Sequence, residues 1–357
     1  MLPFLRDHHA DPGRLHAEGR VTRVALEQAR ENVATLLGAR PREVIFTASG
    51  TEAVNTAVWG AVARADAPAH LVTTAVEHSA VLDACNRSGA HVTVVGVDGL
   101  GRFDPDEVVA AVRPSTALVT IQLANHEVGT IQPAGEVAAT CRERDVLVHV
   151  DVCMAAGHVP VDFGALGAEL CSVSAHKFGG PKGAGALLVR RGLRLPPFVV
   201  GGAQERARRG GLEDVPAMVG FGAAAAELVA DGRLRSEADA QRELTDRVAR
   251  EAPERIGGVV RYGDPVERVP QLVCFGVEGV EAEPILLGLD QRGVAVHSGS
   301  ACSSEALEPS PILAAMGVDA DHSLRVSVGW NTVPEDVDAF LDAFPAVVDR
   351  LRALRAG

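Results

Sequence analysis

Only two of the 34 basic residues in this chain are lysines, Lys177 and Lys182, and both lie in Ser172-Val-Ser-Ala-His-Lys-Phe-Gly-Gly-Pro-Lys-Gly183. Where arginine otherwise supplies the positive charge, a lysine at the end of an apolar run has a chemical use. Its amine can lose a proton and attack a carbonyl, which a guanidinium cannot do. A solvated loop lysine is the plain alternative for Lys177 taken by itself. A second stretch, Ser49-Gly50-Thr51-Glu52, follows a short apolar run and opens a helix, which turns backbone N–H groups and the positive helix end toward an anion. A simple N-cap, with Ser49 or Thr51 capping and Glu52 in the first turn, uses the same residues. Further polar groups recur where apolar runs end: Glu77-His78, Asn125-His126-Glu127 and Asp151. Cys302 lies among small residues in Ser298-Gly-Ser-Ala-Cys302-Ser-Ser304, a setting that predicts an exposed loop and makes it the best nucleophile candidate.

The elements that must position these groups alternate. A helix is predicted from about Val21 to Leu37, a strand over residues 43–48, and a helix from Ser49 to about Arg64. Strand-like runs follow at residues 70–75, 91–97, 116–123, 146–151, 169–175 and 184–190, most of them separated by helical stretches or long connections. That is the pattern of a largely parallel sheet covered on both faces, in which ligands collect at the carboxyl ends of the strands. From Gly257 the pattern becomes α+β, with strands near residues 259–262, 271–277, 294–297 and 323–328 and a terminal helix from Pro334. Residues 14–232 are expected to form a large domain. Residues 233–357, with 1–13, are expected to form a small one carrying the Cys302 loop.

At 357 residues, 47% hydrophobic and 23% charged, the chain has the make-up of a soluble globular protein. Its net charge of −13 argues against unaided binding to nucleic acid or an anionic membrane. No apolar run approaches the ~18 residues of a bilayer span, and Arg6, Asp7, His8 and His9 interrupt any signal-peptide core, so a cytoplasmic location is expected. The six cysteines form no C-x-x-C pair and read as reduced thiols, with no metal site.

An acid at one strand end, a lysine at the next and a helix-end anion site suit pyridoxal phosphate. The lysine forms an imine, the acid keeps the pyridinium nitrogen protonated, and the helix takes the phosphate. The rival, a nucleotide-binding α/β protein, lacks both a G-x-x-x-x-G-K-[ST] loop and a G-x-G-x-x-G opening a helix after the first strand.

The motifs together carry a resemblance. Besides the Lys177 stretch, the chain contains Ser49-Gly-Thr-Glu-Ala-Val-Asn55, Glu77-His-Ser-Ala-Val81, Asn125-His-Glu-Val-Gly129, His149-Val-Asp151 and Ser298-Gly-Ser-Ala-Cys302. In this order it resembles the NifS/IscS-type cysteine desulfurases of the class-V aminotransferase family, pyridoxal 5'-phosphate enzymes of fold type I. The match covers nearly the whole chain, and the cysteine loop is similar to that of the long-loop branch. The resemblance implies a mostly parallel seven-stranded sheet plus a smaller α+β domain. It implies conversion of L-cysteine to L-alanine by a homodimer, with a persulfide on Cys302 passed to an acceptor protein. Lys177 would carry the cofactor and move the Cα proton. Asp151 would pair with the pyridinium nitrogen, and His78 would stack on the ring. Gly50, Thr51, Ser174 and His176 would hold the phosphate, and Arg325, with Asn125, would bind substrate.

Three departures accompany it. His126 stands where the family has an asparagine on the cofactor's phenolic oxygen, and Met154 replaces the glutamine that shares this contact; a thioether cannot donate a hydrogen bond. Leu212, in Arg209-Gly-Gly-Leu-Glu-Asp214, replaces a threonine that reaches the partner subunit's phosphate. The family's Y-L-D-N-A-A-T-T segment has no counterpart, the chain opening inside the helix that follows it. Lyase activity on selenocysteine or cysteine sulfinate, and a weakly active homologue that carries sulfur or binds partners, are the alternative functions.

Overall fold

The computed structural model describes residues 1–66, 68–298 and 309–356. Two compact units emerge, one from Met1–Val95, Asp104–Leu123 and Pro133–Leu234, the other from Gly96–Phe103, Ala124–Gln132 and Arg235–Gly357. Residues 1–13 thus group with the first unit, not with the C-terminal one as expected from sequence. The physical reason is close packing of the chain start, because a Cβ on Gly220 would lie 2.6 Å from the Met1 sulfur.

The first unit is built on a seven-stranded sheet. Its strands are β1 (Val44–Thr47), β2 (His70–Thr74), β3 (His91–Val95), β4 (Thr116–Gln122), β5 (Val148–Asp151), β6 (Leu170–Ser174) and β7 (Gly185–Val189), in the order β1-β7-β6-β5-β4-β2-β3. Only β7 runs against its neighbours; every other pairing is parallel. Strands β2, β5, β6 and β7 are buried along their whole length, so polar residues such as Thr74, His149 and Ser172 are buried with the apolar ones. One face of the sheet packs Ile45, Leu71, Leu118 and Leu187 against Ala53, Val54 and Ala57 of the helix Gly50–Arg64 and Val81 and Cys85 of the helix Ser79–Arg87. Helices Ala17–Leu36 and Val215–Val229 pack together so closely that a Cβ on Gly222 would come 2.4 Å from Ala29 Cα.

Length and composition alone would let Val215–Arg255 cross a membrane, against the reading that no run approaches that length. The apolar part is Val215–Val229, ended by a 3-10 turn with Asp231 at φ 50°. Those 15 residues span about 22 Å, short of the ~30 Å hydrocarbon core, and bury Phe221, Ala225 and Leu228 inside the protein.

The second unit holds a three-stranded antiparallel sheet, β8 (Val259–Tyr262), β9 (Leu272–Val277) and β10 (Ser323–Ser327), in the order β10-β9-β8. Val273, Phe275, Leu324 and Val326 of that sheet pack with Ile285, Val248 and Phe344 of the covering helices. The expected strand over residues 294–297 does not form; His297 makes one isolated bridge to Arg325, and its neighbours find no second pair.

Candidate active site

In the first unit, β6 ends at Ser174 and the chain turns at once through a single 3-10 turn, Ala175–Phe178. Lys177 therefore stands on that turn, with its side chain exposed, rather than on the strand. Glycine is required just beyond. Gly179 adopts φ +86°, and a Cβ on Gly180 would lie 2.8 Å from the Ala175 carbonyl oxygen, to which the Gly180 N–H donates. The Lys177 carbonyl bonds His158 Nε2 at 2.9 Å.

Asp151 closes β5. The parallel register sets it opposite Ser172 of β6, whose hydroxyl donates to Oδ1 at 2.9 Å while the Cys153 N–H donates to the same oxygen at 3.0 Å. The carboxylate is thereby held in one orientation. His78 caps the helix Ser79–Arg87, its Nδ1 accepting from the Ala80 N–H at 3.0 Å, so in the neutral ring Nε2 carries the proton. Burial holds this imidazole below its ordinary pKa; Asp151 acts against that and Lys177 adds to it, so the three groups share one electrostatic neighbourhood.

The helix Gly50–Arg64 supplies the candidate anion site. Ser49, not Thr51, is its cap, accepting from the Glu52 N–H at 3.1 Å. Thr51 is exposed in the first turn, where helical N–H groups lack intrahelical partners. A Cβ on Gly50 would lie 2.7 Å from Cys153 Sγ and 3.3 Å from Ser174 Cβ, so the backbone approaches closely only because the residue is glycine. Ser174 Oγ and His176 Nδ1 bond at 2.9 Å. Desolvation, then the cations of Lys177 and Lys182, hold the His176 ring below its ordinary value. Glu52 would oppose an anion here, but Arg209 grips its carboxylate at 2.9 and 3.2 Å. Helix N–H groups, two hydroxyls and an imidazole make a phosphate donor set; with a fixed carboxylate and an amine nearby, these residues fit pyridoxal phosphate. Met154 is half-buried in the turn after β5.

The second unit gathers a different set. Asn125 Oδ1 accepts from the Glu127 and Val128 N–H groups at 2.8 and 2.9 Å, fixing the Asn125-His126-Glu127 turn. Arg325 of β10 donates from Nη1 to the His126 carbonyl at 2.9 Å. His126 is 5% exposed, and its Nε2 lies 3.9 Å from Glu127 Oε1. Cys302 lies outside the described residues, while the Ser310 hydroxyl donates to Glu127 Oε2 at 2.5 Å.

Sequence reasoning did not anticipate Ser172 on Asp151, Arg209 on Glu52, or the buried Glu127–Ser310 pair. The first had a partial signal, because Asp151 and Ser172 fall on consecutive predicted strands, and the parallel register sets them opposite each other. The other two join residues 157 and 183 positions apart and had none.

The aminotransferase class-V family matches over residues 1–340. A cysteine desulfurase IscS of Dictyoglomus turgidum is 40% identical, covering 99% of this chain and 91% of the relative. One from Methanosarcina thermophila is 39% identical over 99% and 88%. Among solved structures, a NifS-like protein matches with a TM-score of 0.91 at 30% identity, covering 98% of this chain and 94% of the other. A structure described as SspA in complex with cysteine matches at 0.80, with 29% identity and coverage of 93% and 94%.

Proposed function

Because the chain belongs to the class-V aminotransferase family and, within it, to the NifS/IscS-type cysteine desulfurases of pyridoxal-phosphate fold type I, we propose that it converts L-cysteine to L-alanine. On this reading the sulfur leaves as a persulfide on Cys302. The observation that carries the reading is the common neighbourhood of His78, Asp151 and Lys177, each just beyond or at the end of a strand, beside a helix N-terminus shaped for a phosphate.

Pyridoxal phosphate, when bound, supplies an aldehyde for the amine and a ring that accepts the electrons released at Cα. The chain's own groups do the rest. The Gly50 and Thr51 N–H groups with the Thr51, Ser174 and His176 side chains hold the phosphate. Asp151, its Oδ1 pinned by Ser172 and Cys153, would keep a proton on the ring nitrogen, and His78 would stack on the ring. Lys177 carries the cofactor and moves the Cα proton, while Arg325 and Asn125 orient the substrate carboxylate. The Cys302 thiolate attacks the substrate sulfur; a sulfur–sulfur bond forms, the Cβ–S bond breaks with its electron pair going to the carbon side, and protonation there completes alanine. Persulfide sulfur then passes to an acceptor protein, and the working unit is a homodimer in the cytoplasm.

Wild type and Cys302→Ala incubated with L-cysteine and a reductant separate this reading from its rivals. Stoichiometric alanine and sulfide are expected from the first and neither from the second. Faster turnover of selenocysteine or cysteine sulfinate, with cysteine refused, would overturn it.

A further inference from the structure

Glu127 has no part in the chemistry just described, yet it is 2% exposed and held on several sides. Its N–H is fixed by Asn125 Oδ1 at 2.8 Å. Its Oε2 receives the hydroxyl of Ser310, itself fully buried, at 2.5 Å. Arg325 Nη1 reaches the carbonyl of the preceding residue at 2.9 Å. A carboxylate beside a guanidinium reduces the attraction that guanidinium offers to a second carboxylate, and a protonated carboxyl does not.

We propose that Glu127 is a positioning residue for Arg325, which holds the substrate carboxylate strongly while Glu127 is protonated and weakly once it is ionised. The inference rests on the amino-acid substrate of the reading above. The titratable and polar groups facing Glu127 are Arg325 on β10, the His126 ring 3.9 Å away, the Ser310 hydroxyl, and Cys274 on β9. Burial pushes the Cys274 thiol up to about 12, so it stays neutral. Burial also pushes Glu127 up to about 7, with the Ser310 hydrogen bond and the Arg325 charge opposing, so its proton is exchanged close to neutrality. Substrate bound on Arg325 would in turn favour the protonated form, by linkage.

The test is the affinity of the holoenzyme for L-alanine, an amino acid without a thiol, read from the absorbance of the bound cofactor between pH 5.5 and 9. Comparing wild type with Glu127→Gln, which keeps an acceptor for Ser310, cancels the ionisations of the ligand itself. The ratio of dissociation constants, wild type over variant, is expected near one at the acid end and about tenfold at the alkaline end, with its midpoint near 7. Ser310→Ala removes a donor that favours the carboxylate, so the midpoint should move to higher pH; a purely structural role for Ser310 would leave it in place. A ratio that does not change with pH, or a midpoint unmoved or lowered in Ser310→Ala, overturns the inference and leaves the substrate reading standing. Failure of both proteins to bind L-alanine or L-cysteine at any pH overturns the substrate reading, and the inference with it.

Discussion

Glu77, one residue before His78, is a carboxylic acid that the fold keeps neutral, and replacing it with glutamine exposes the cost of that arrangement. The side chain is 1% exposed. The Thr74 hydroxyl donates to Oε1 at 2.5 Å, and Oε2 has no partner. Burial raises its pKa from 4.5 to about 8, and the charge of Asp151 pushes the same way. Between those two values the folded protein holds a proton that the unfolded chain releases, so stability falls as pH rises through the interval. At about 1.4 kcal/mol per pH unit, the loss across the whole interval is roughly 4–5 kcal/mol. Glutamine keeps the acceptor for Thr74 and does not titrate. Urea unfolding of wild type and Glu77→Gln at pH 5.5, 7 and 8.5 should show the variant gaining on wild type by roughly 3–4 kcal/mol between the ends of that range. A difference that is flat with pH, or that shrinks as pH rises, would refute a neutral Glu77.

Two other perturbations follow from the first unit. Arg30 grips Glu205 at 2.6 and 2.7 Å with both side chains at most 2% exposed, so Glu205→Ala should lose roughly 3–5 kcal/mol of unfolding free energy by stranding a buried cation. Arg30→Met with Glu205→Leu should recover most of it, and a single-variant loss under about 1 kcal/mol would contradict the clamp. In Gly50→Ala the new Cβ would meet Cys153 Sγ at 2.7 Å, so the variant should lose bound cofactor on dialysis. Adding Cys153→Ala should restore retention, measured by cofactor absorbance, and a failure of that rescue would place the obstruction elsewhere.

The strand-end positions of the candidate residues could be read from the chain because a parallel sheet delivers strand ends to one edge. Asp151 and His78 are found where alternating strands and helices put them, and Ser49-Gly50-Thr51 opens its helix as its composition requires. Local conformation was less legible. The turn carrying Lys177 is 3-10 because Gly179 and Gly180 close it immediately after β6, a choice that hydrophobic periodicity does not encode. Residues 294–297 have strand composition, but a strand needs a partner of equal length, and only His297 finds one. Burial was the least legible property. Sequence shows that Glu77 and Glu127 are acids; the depth at which they sit, and so their protonation, depends on residues such as Ser310 brought up from far along the chain. The chain's break into units was misjudged at its start for a similar reason, since the contact of Met1 with Gly220 spans most of the first unit.

The account depends on which amine carries the cofactor. Incubation with pyridoxal phosphate, reduction with borohydride and mass mapping of the peptides should find the label on Lys177, with Lys182 unmodified and Lys177→Ala unlabelled. Label on Lys182, or on no lysine at all, would contradict it.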